Sequence, residues 1–400
     1  MNLKTFLLAT CLLLGQFQLT YAQDSTRYQM KANTNEIEAN FLSSYYQQEG
    51  NNAAVTGGIG TEELSDFANV LIVNIPLDSV NAVSLYGGAD YYTSASTDNI
   101  DNNVSSSSSY DLRGFATVSY SRKNLFRNET YGVHIGFSAE YDYNSISAGG
   151  SYTKEWNHGN SELNVQGQAF FDRWILIYPI ELRPDVEAPT AQRQSFNGQI
   201  NFFQVLTKKL QAGISGEFVY MTGLLSTPFH RVYFANDQGL DIERLPDSRL
   251  KIPVGVRLNY FPFDRLVLRS YYRYYQDDFG IAANTFELET PIKISTFFTV
   301  SPFYRYHTQT ASDYFAPYQQ HLPSEEFYTS DYDLSALDSH KMGLGIRYSP
   351  LYGVLRSKPM RKNETGILML KTLEARFGYY SRSTGLTAYF GSINLGFSFK

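Results

Sequence analysis

From residue 33 to the C-terminus the chain alternates between apolar and polar positions. Residues 385–399 display the pattern best: Tyr389, Ile393, Leu395, Phe397 and Phe399 fall on one side, and Ser392, Asn394, Gly396 and Ser398 on the other. A period of two with one apolar and one polar side predicts a strand whose faces meet different media. The same alternation predicts about sixteen strands, within a range of 14 to 18. They fall at 33–48, 67–76, 79–94, 110–123, 129–143, 146–157, 161–177, 193–206, 209–221, 250–261, 265–277, 280–290, 296–307, 340–349, 366–381 and 385–399. Most are longer than the roughly 9–11 residues a tilted strand needs to cross a bilayer.

The connections add independent information. Taken in order, the even ones are mostly short: Leu77-Asp78, Asn124 to Asn128, His158 to Asn160, Thr207-Lys208, Pro262 to Asp264 and Pro291 to Ser295, with 350–365 longer. Most odd ones are long: 49–66, 95–109, 178–192, 222–249 and 308–339, with tight hairpins expected near Asn144, Asp278 and Ser383. Loop length that segregates by parity predicts a transmembrane antiparallel β-barrel with short periplasmic turns and long outer loops. An even strand count leaves both termini in the periplasm. The last strand also closes on an aromatic, Phe399, as outer-membrane barrels of Gram-negative bacteria do, although Lys400 follows it.

Composition sharpens this. The sequence holds 32 Tyr and 28 Phe against 2 Trp, and a phenol suits a membrane interface because its body is apolar and its tip wet. Residues 1–22 read as a signal peptide: Lys4, an apolar run from Phe6 to Leu14, and Ala22 before the cut. The barrel is then expected over 23–400, bound by outer-membrane lipid. Cys11 lies in the removed segment, so no disulfide or thiol chemistry is expected. Formal charge is −6, and −7 once Lys4 is lost, which argues against a nucleic-acid partner.

With the apolar side on lipid, the other side faces the lumen. Leu266, Leu268, Tyr272 and Tyr274 point out, so Arg269 and Arg273 point in. The same reading puts Arg257, Arg305, Arg347 and Arg376 inside, with Glu287, Glu289 and Glu374 among them. In the first half the inward set is Glu36, Glu38, Asp90, Glu140, Asp142 and Asp172, with Asn164, Gln166, Asn197, Gln199 and Asn201. The expected lumen is therefore acidic on one wall and arginine-rich on the other. Such walls orient polar solutes and set ion preference; the alternative is that the charges pair and fill the barrel.

Two loops stand out. Residues 94–109 are rich in Ser, Asp and Asn and read as solvated, with Asp98 and Asp101 as candidate cation or sugar contacts. Residues 308–339 carry Tyr314, Phe315, Tyr318, Phe327, Tyr328 and Tyr332 among acids. A loop this aromatic is expected to pack on itself, fold into the barrel or contact a partner. No cofactor or metal is expected. His307, His321 and His340 flank or lie in that loop and are the residues a metal site would use. The remaining histidines, His134, His158 and His230, complete no catalytic or ligand spacing, and no phosphate-cradling glycine loop occurs.

Four stretches carry a resemblance: residues 243–249 (ERLPDSR), 270–285 (SYYRYYQDDFGIAANT), 301–318 (SPFYRYHTQTASDYFAPY) and 328–335 (YTSDYDLS). Over nearly its full mature length the chain resembles an uncharacterised family of secreted bacterial proteins, a domain of unknown function. The resemblance brings no activity or catalytic residue. It implies that the aromatic and charged motifs are the family's distinguishing feature, so a site is expected at the outer ends of strands eleven to fourteen. The candidates there are Arg273, Asp277, Asp278, Arg305, His307, Asp331 and Asp333. A plug-bearing TonB-dependent receptor is not expected, because the first strand begins within about a dozen residues of the cut site. The preferred function is a porin-like conduit for small polar solutes. The alternatives are a non-conducting barrel that anchors an envelope complex through loop 308–339, and an enzyme with its site at the mouth.

Overall fold

The structure is a computed structural model, and it describes residues 36–95, 110–183, 188–357 and 367–399. The expected signal segment, Asp98, Asp101 and Lys400 lie outside the described residues. Sixteen strands form the wall: β1 (Ile37–Glu49), β2 (Glu63–Pro76), β3 (Asn81–Ala95), β4 (Tyr110–Asn124), β5 (Glu129–Ala139), β6 (Tyr143–Trp156), β7 (Ser161–Ile175), β8 (Thr190–Thr207), β9 (Leu210–Gly223), β10 (Ser248–Phe263), β11 (Leu266–Asp277), β12 (Ala282–Glu289), β13 (Phe298–Gln309), β14 (Leu337–Tyr348), β15 (Leu368–Arg382) and β16 (Thr387–Phe399). Ile292–Lys293 continues β12 along β13.

Each strand pairs antiparallel with the next, and β16 returns to β1 with Phe399 opposite Ile37 and Thr387 opposite Glu49. Closure removes the unpaired edges that an open sheet would expose to lipid. At the usual strand spacing and tilt, sixteen strands make a ring on the order of 30 Å across.

The outer face is apolar and uncovered: Val133 is 60% exposed and Ile135 66%. Aliphatic side chains left this open around a barrel whose inner face is polar have lipid as their solvent. Tyr91, Tyr110 and Tyr141 ring the long-loop end, and Tyr120, Tyr131 and Tyr260 the short-turn end, all exposed. These are the two aromatic girdles of an outer-membrane-type barrel.

Most boundaries shift by a few residues from the sequence reading, and two of the shifts have a visible cause. The β5–β6 hairpin turns at 140–142 rather than near Asn144. Tyr143 is buried against Trp174 with centroids 4.6 Å apart, and its hydroxyl donates to Asp172 at 2.9 Å, so it belongs to the next strand. β2 begins at Glu63, four residues before the expected start, because Leu64 to Asp66 extend the ladder on Tyr46 to Gln48. The charged run around them masks the alternation.

A lid joined across the mouth, and two charged walls

Loops 224–247 and 310–336 form one packed unit. Within the first, Arg231–Tyr233 pairs with Leu240–Ile242. The second lies against it through two exchanged bonds, Arg244 N to Tyr328 O (3.1 Å) and Tyr328 N to Arg244 O (2.7 Å). Val232, Phe234 and Tyr328 form one small core, and Leu225, Leu245 and Phe279 another. The aromatic loop therefore packs chiefly on its neighbour. Glu243 is buried between them, accepting from Thr227 N (2.6 Å) and Thr329 Oγ1 (2.7 Å). His321 meets Glu325 Oε2 at 2.5 Å and the Thr329 carbonyl at 2.9 Å.

This unit reaches the far rim. Arg231, 2% exposed, donates from Nε and Nη2 to the two carboxylate oxygens of Glu181 (3.0 and 2.8 Å) and from Nη1 to the Val55 carbonyl (2.8 Å). Val55 lies in the β1–β2 loop and Arg231 in the β9–β10 loop. In a sixteen-stranded ring those loops are eight strands apart in either direction, so they are diametrically opposed. Their contact requires the chain to cross the mouth. Close approach is possible because Gly57 and Gly58 lie beneath the lid with φ of 80° and 89°; a Cβ on Gly57 would stand 2.6 Å from the Tyr233 ring, and one on Gly58 2.7 Å from the Ser330 carbonyl oxygen. Only glycine accepts both the backbone angle and the contact.

Charges at this joint are shifted by the enclosure. Burial pushes Asp331 up to about 6, with Asp333 beside it acting the same way. Burial chiefly pushes Glu62 up to about 7. The Arg231 guanidinium holds Glu181 below the usual carboxylate range.

The candidate residues are distributed as follows. Arg269 meets Glu289 (3.3 Å), and Arg376 bridges Glu289 (2.9 Å) and Glu374 (2.8 Å). Arg273 lies 3.7 Å from Glu217. Arg257 stacks over the Tyr271 ring at 5.2 Å. Arg347 faces Glu374 across β14–β15, and Glu287 faces Arg305 across β12–β13. His307 Nδ1 is 2.8 Å from Thr285 Oγ1, and its Nε2 is 3.2 Å from Gln309 Oε1. Asp277 accepts from Arg249 Nε (3.0 Å), Tyr275 Oη (2.6 Å) and the amides of Phe279 and Ile281. Asp278 accepts from Leu250 N (2.9 Å) in the turn. Asp333 pairs with Arg382 (2.7 Å), and Asp331 caps the short turn Tyr332–Leu334 by accepting from Asp333 N. Asp277 and Asp333 thus fasten loops to strand ends, whereas the lumen group lines β10–β15.

The opposite wall carries a buried acidic cluster. Asp111, Glu140 and Asp142 bring one carboxylate oxygen each within 4.8 Å of one another. Tyr92 Oη donates to Glu140 Oε2 at 3.0 Å, and Arg113 approaches Asp90 (3.7 Å) and Glu140 (3.8 Å). Burial raises Glu140, a turn residue, to about 8. His230, Glu243 and Asp331 form a second such group in the lid. Both have the donor types of a metal site. Among the described residues neither group includes His307, His321 or His340: His307 faces the lumen, His321 the lid, and His340 lies beside Tyr304 and Tyr306.

Sequence reasoning missed Arg231, Glu181 and Glu62, which sit in loops without periodicity. It also missed Lys341, although that residue shares the face of Arg347 six positions on, and Asp66 and Asp111, which alternation along β2 and β4 could have found.

A family profile described as "Protein of unknown function (DUF3570)" matches residues 3–353. The fold is similar to the siderophore receptor PirA from Acinetobacter baumannii (13% identity, TM-score 0.45, 86% of this chain and 53% of that one). It is also similar to the ferric enterobactin receptor PfeA from Pseudomonas aeruginosa (13%, 0.45, 87% and 54%) and to a bacterial polysaccharide outer-membrane secretin (10%, 0.43, 89% and 97%). The chain spans about half the length of the first two. No curated protein matches the sequence.

Proposed function

Since the chain belongs to the DUF3570 family, described only as of unknown function, we propose its role from geometry: a gated conduit of the outer membrane for small polar solutes, its mouth shut in this conformation. The observation that carries this reading is the joint at Arg231. The lid has its own apolar cores, while its side-chain hydrogen bonds to the far rim run through one guanidinium, beside the close approach at Gly57 and Gly58. Polar contacts exchange for water at small net cost, so the joint can open while the lid stays folded. Beneath it the wall is lined with charged side chains, the lining an aqueous path requires.

The test is conductance of the refolded chain in a planar bilayer, with a reversal potential in a salt gradient, for wild type and Arg231→Ala. A conduit gives small or intermittent current in the first and larger, steady current in the second. Two silent proteins that remain heat-modifiable barrels would overturn it. The covered mouth favours a second reading, a non-conducting barrel that anchors an envelope complex through loop 308–339. In that case both proteins are silent, and removing the loop abolishes recovery of an envelope protein with the barrel.

A further inference from the structure

Across β10 to β15, in register, stand Arg257, Tyr271, Glu287, Arg305, Lys341 and Tyr380, all on the lumen side. Arg305 and Lys341 oppose each other directly, like charge against like, which costs stability in an antiparallel pair. Four other cations of this wall are matched: Arg269 and Arg376 on Glu289, Arg273 on Glu217, Arg382 on Asp333. Among the described residues, no carboxylate comes within ion-pair reach of Arg305 or Lys341. Lys341 Nζ instead lies over the Phe390 ring at 4.5 Å. Glu287 brings one negative charge alongside Arg305, too little for two cations with Arg257 two strands further on. Both residues keep part of their surface exposed.

We propose that Arg305 and Lys341 form an anion site on the lumen wall that takes a small oxyanion of the phosphate class. A guanidinium supplies two parallel donors in a fixed fork and an ammonium a compact point charge; together they suit a tetrahedral group with two negative charges. Tyr380 on the flanking strand β15 stands directly beside Lys341, and Tyr271 on β11 stands at the same level beyond Glu287. A bound dianion also removes the repulsion between the two cations. The site deepens the conduit reading by naming the class of solute, and rests on that reading for the route alone.

The test uses the refolded full chain in detergent micelles, read by its thermal unfolding midpoint in inorganic phosphate and in chloride at matched ionic strength. Binding to the folded state raises the midpoint. Wild type should respond to phosphate. Arg305→Gln and Lys341→Gln should each unfold at an equal or higher temperature in chloride, because repulsion is relieved, and should need about tenfold more phosphate for the same response. The titration is repeated in Arg231→Ala, so that the lid does not bar entry. An equal response in wild type and both variants, or none specific to phosphate, overturns the site. So does a variant that unfolds at lower temperature in chloride, which makes the pair structural. Binding is read without current: a silent barrel that binds phosphate sinks the conduit alone, and a conducting barrel indifferent to phosphate sinks the site alone.

Discussion

The guanidinium of Arg231 donates to the carbonyl of Val55 at 2.8 Å although the two residues stand on loops half a ring apart. The same side chain grips Glu181 from the β7–β8 loop, so one residue ties three sectors of the rim. Truncation to alanine removes all three bonds and leaves the Val55 carbonyl in need of water. Lid docking should weaken by roughly 2–3 kcal/mol, discounted because the Glu181 side chain is 38% exposed and resolvates. Arg231→Lys should fail nearly as badly, since an ammonium cannot reproduce the fork. Limited proteolysis reads this directly: cleavage within 310–336 should accelerate in both variants while the barrel stays heat-modifiable. Unchanged protection would mean that the lid is held by its own cores alone.

Gly58 offers a test that leaves every charge in place. Its φ of 89° and the 2.7 Å from a built Cβ to the Ser330 carbonyl leave alanine no room. Gly58→Ala should undock the lid and reproduce the Arg231→Ala cleavage pattern, with a loss on the order of 1–3 kcal/mol from backbone strain. Gly159, also at positive φ but with nothing near its built Cβ, is the control: Gly159→Ala strains a turn at the opposite end and should leave the lid protected.

Acidity should hold the lid down. Asp331 at about 6 and Glu62 at about 7 both lie above their ordinary values. A carboxyl raised on docking binds its proton more tightly in the docked state. Its contribution is therefore complete below the ordinary value near 4 and is lost as pH rises through the raised one. Glu181, lowered by Arg231, has the opposite sense, and its contribution fades only as pH falls below the usual carboxylate range. Between about pH 4 and pH 7 the first two dominate, so protection of 310–336 should fall as pH rises across that window. Protection that grows from pH 5 to pH 7 would contradict the assignment.

The wall was legible because a barrel strand has two solvents. Lipid and lumen impose period two over a dozen residues, and parity of loop length then gives orientation. Arg269, Arg273, Arg305 and Arg376 share one inner wall because alternation places a side chain on a face without any knowledge of its partners. What alternation cannot give is who pairs with whom. Arg376 reaches Glu289 from β15 to β12, a contact set by side-chain length across three strands. The lid was illegible for a related reason. Arg231 and Val55 are 176 positions apart in loops without period, and ring closure alone brings them together. The aromatic density of 308–339 announced that the loop packs, without naming the surface it packs on.

The face assignment itself can be tested on β16. Leu395 points outward between Phe41 of β1 and Leu373 of β15. Leu395→Arg puts a charge in the apolar band at a cost of roughly 2–4 kcal/mol, greatest near the midplane. β16 also closes the ring against β1, so the penalty falls on the step that completes the barrel. Ser392, three positions earlier, faces the lumen opposite Arg376 and Ser44. Ser392→Asp introduces a charge of the same magnitude beside a cation and into water. Heat-modifiable mobility of the refolded proteins separates them: Leu395→Arg should remain unfolded where Ser392→Asp forms the barrel. Equal refolding would mean that β16 does not present Leu395 to lipid, and the inward placement of the charged rows on neighbouring strands would fall with it.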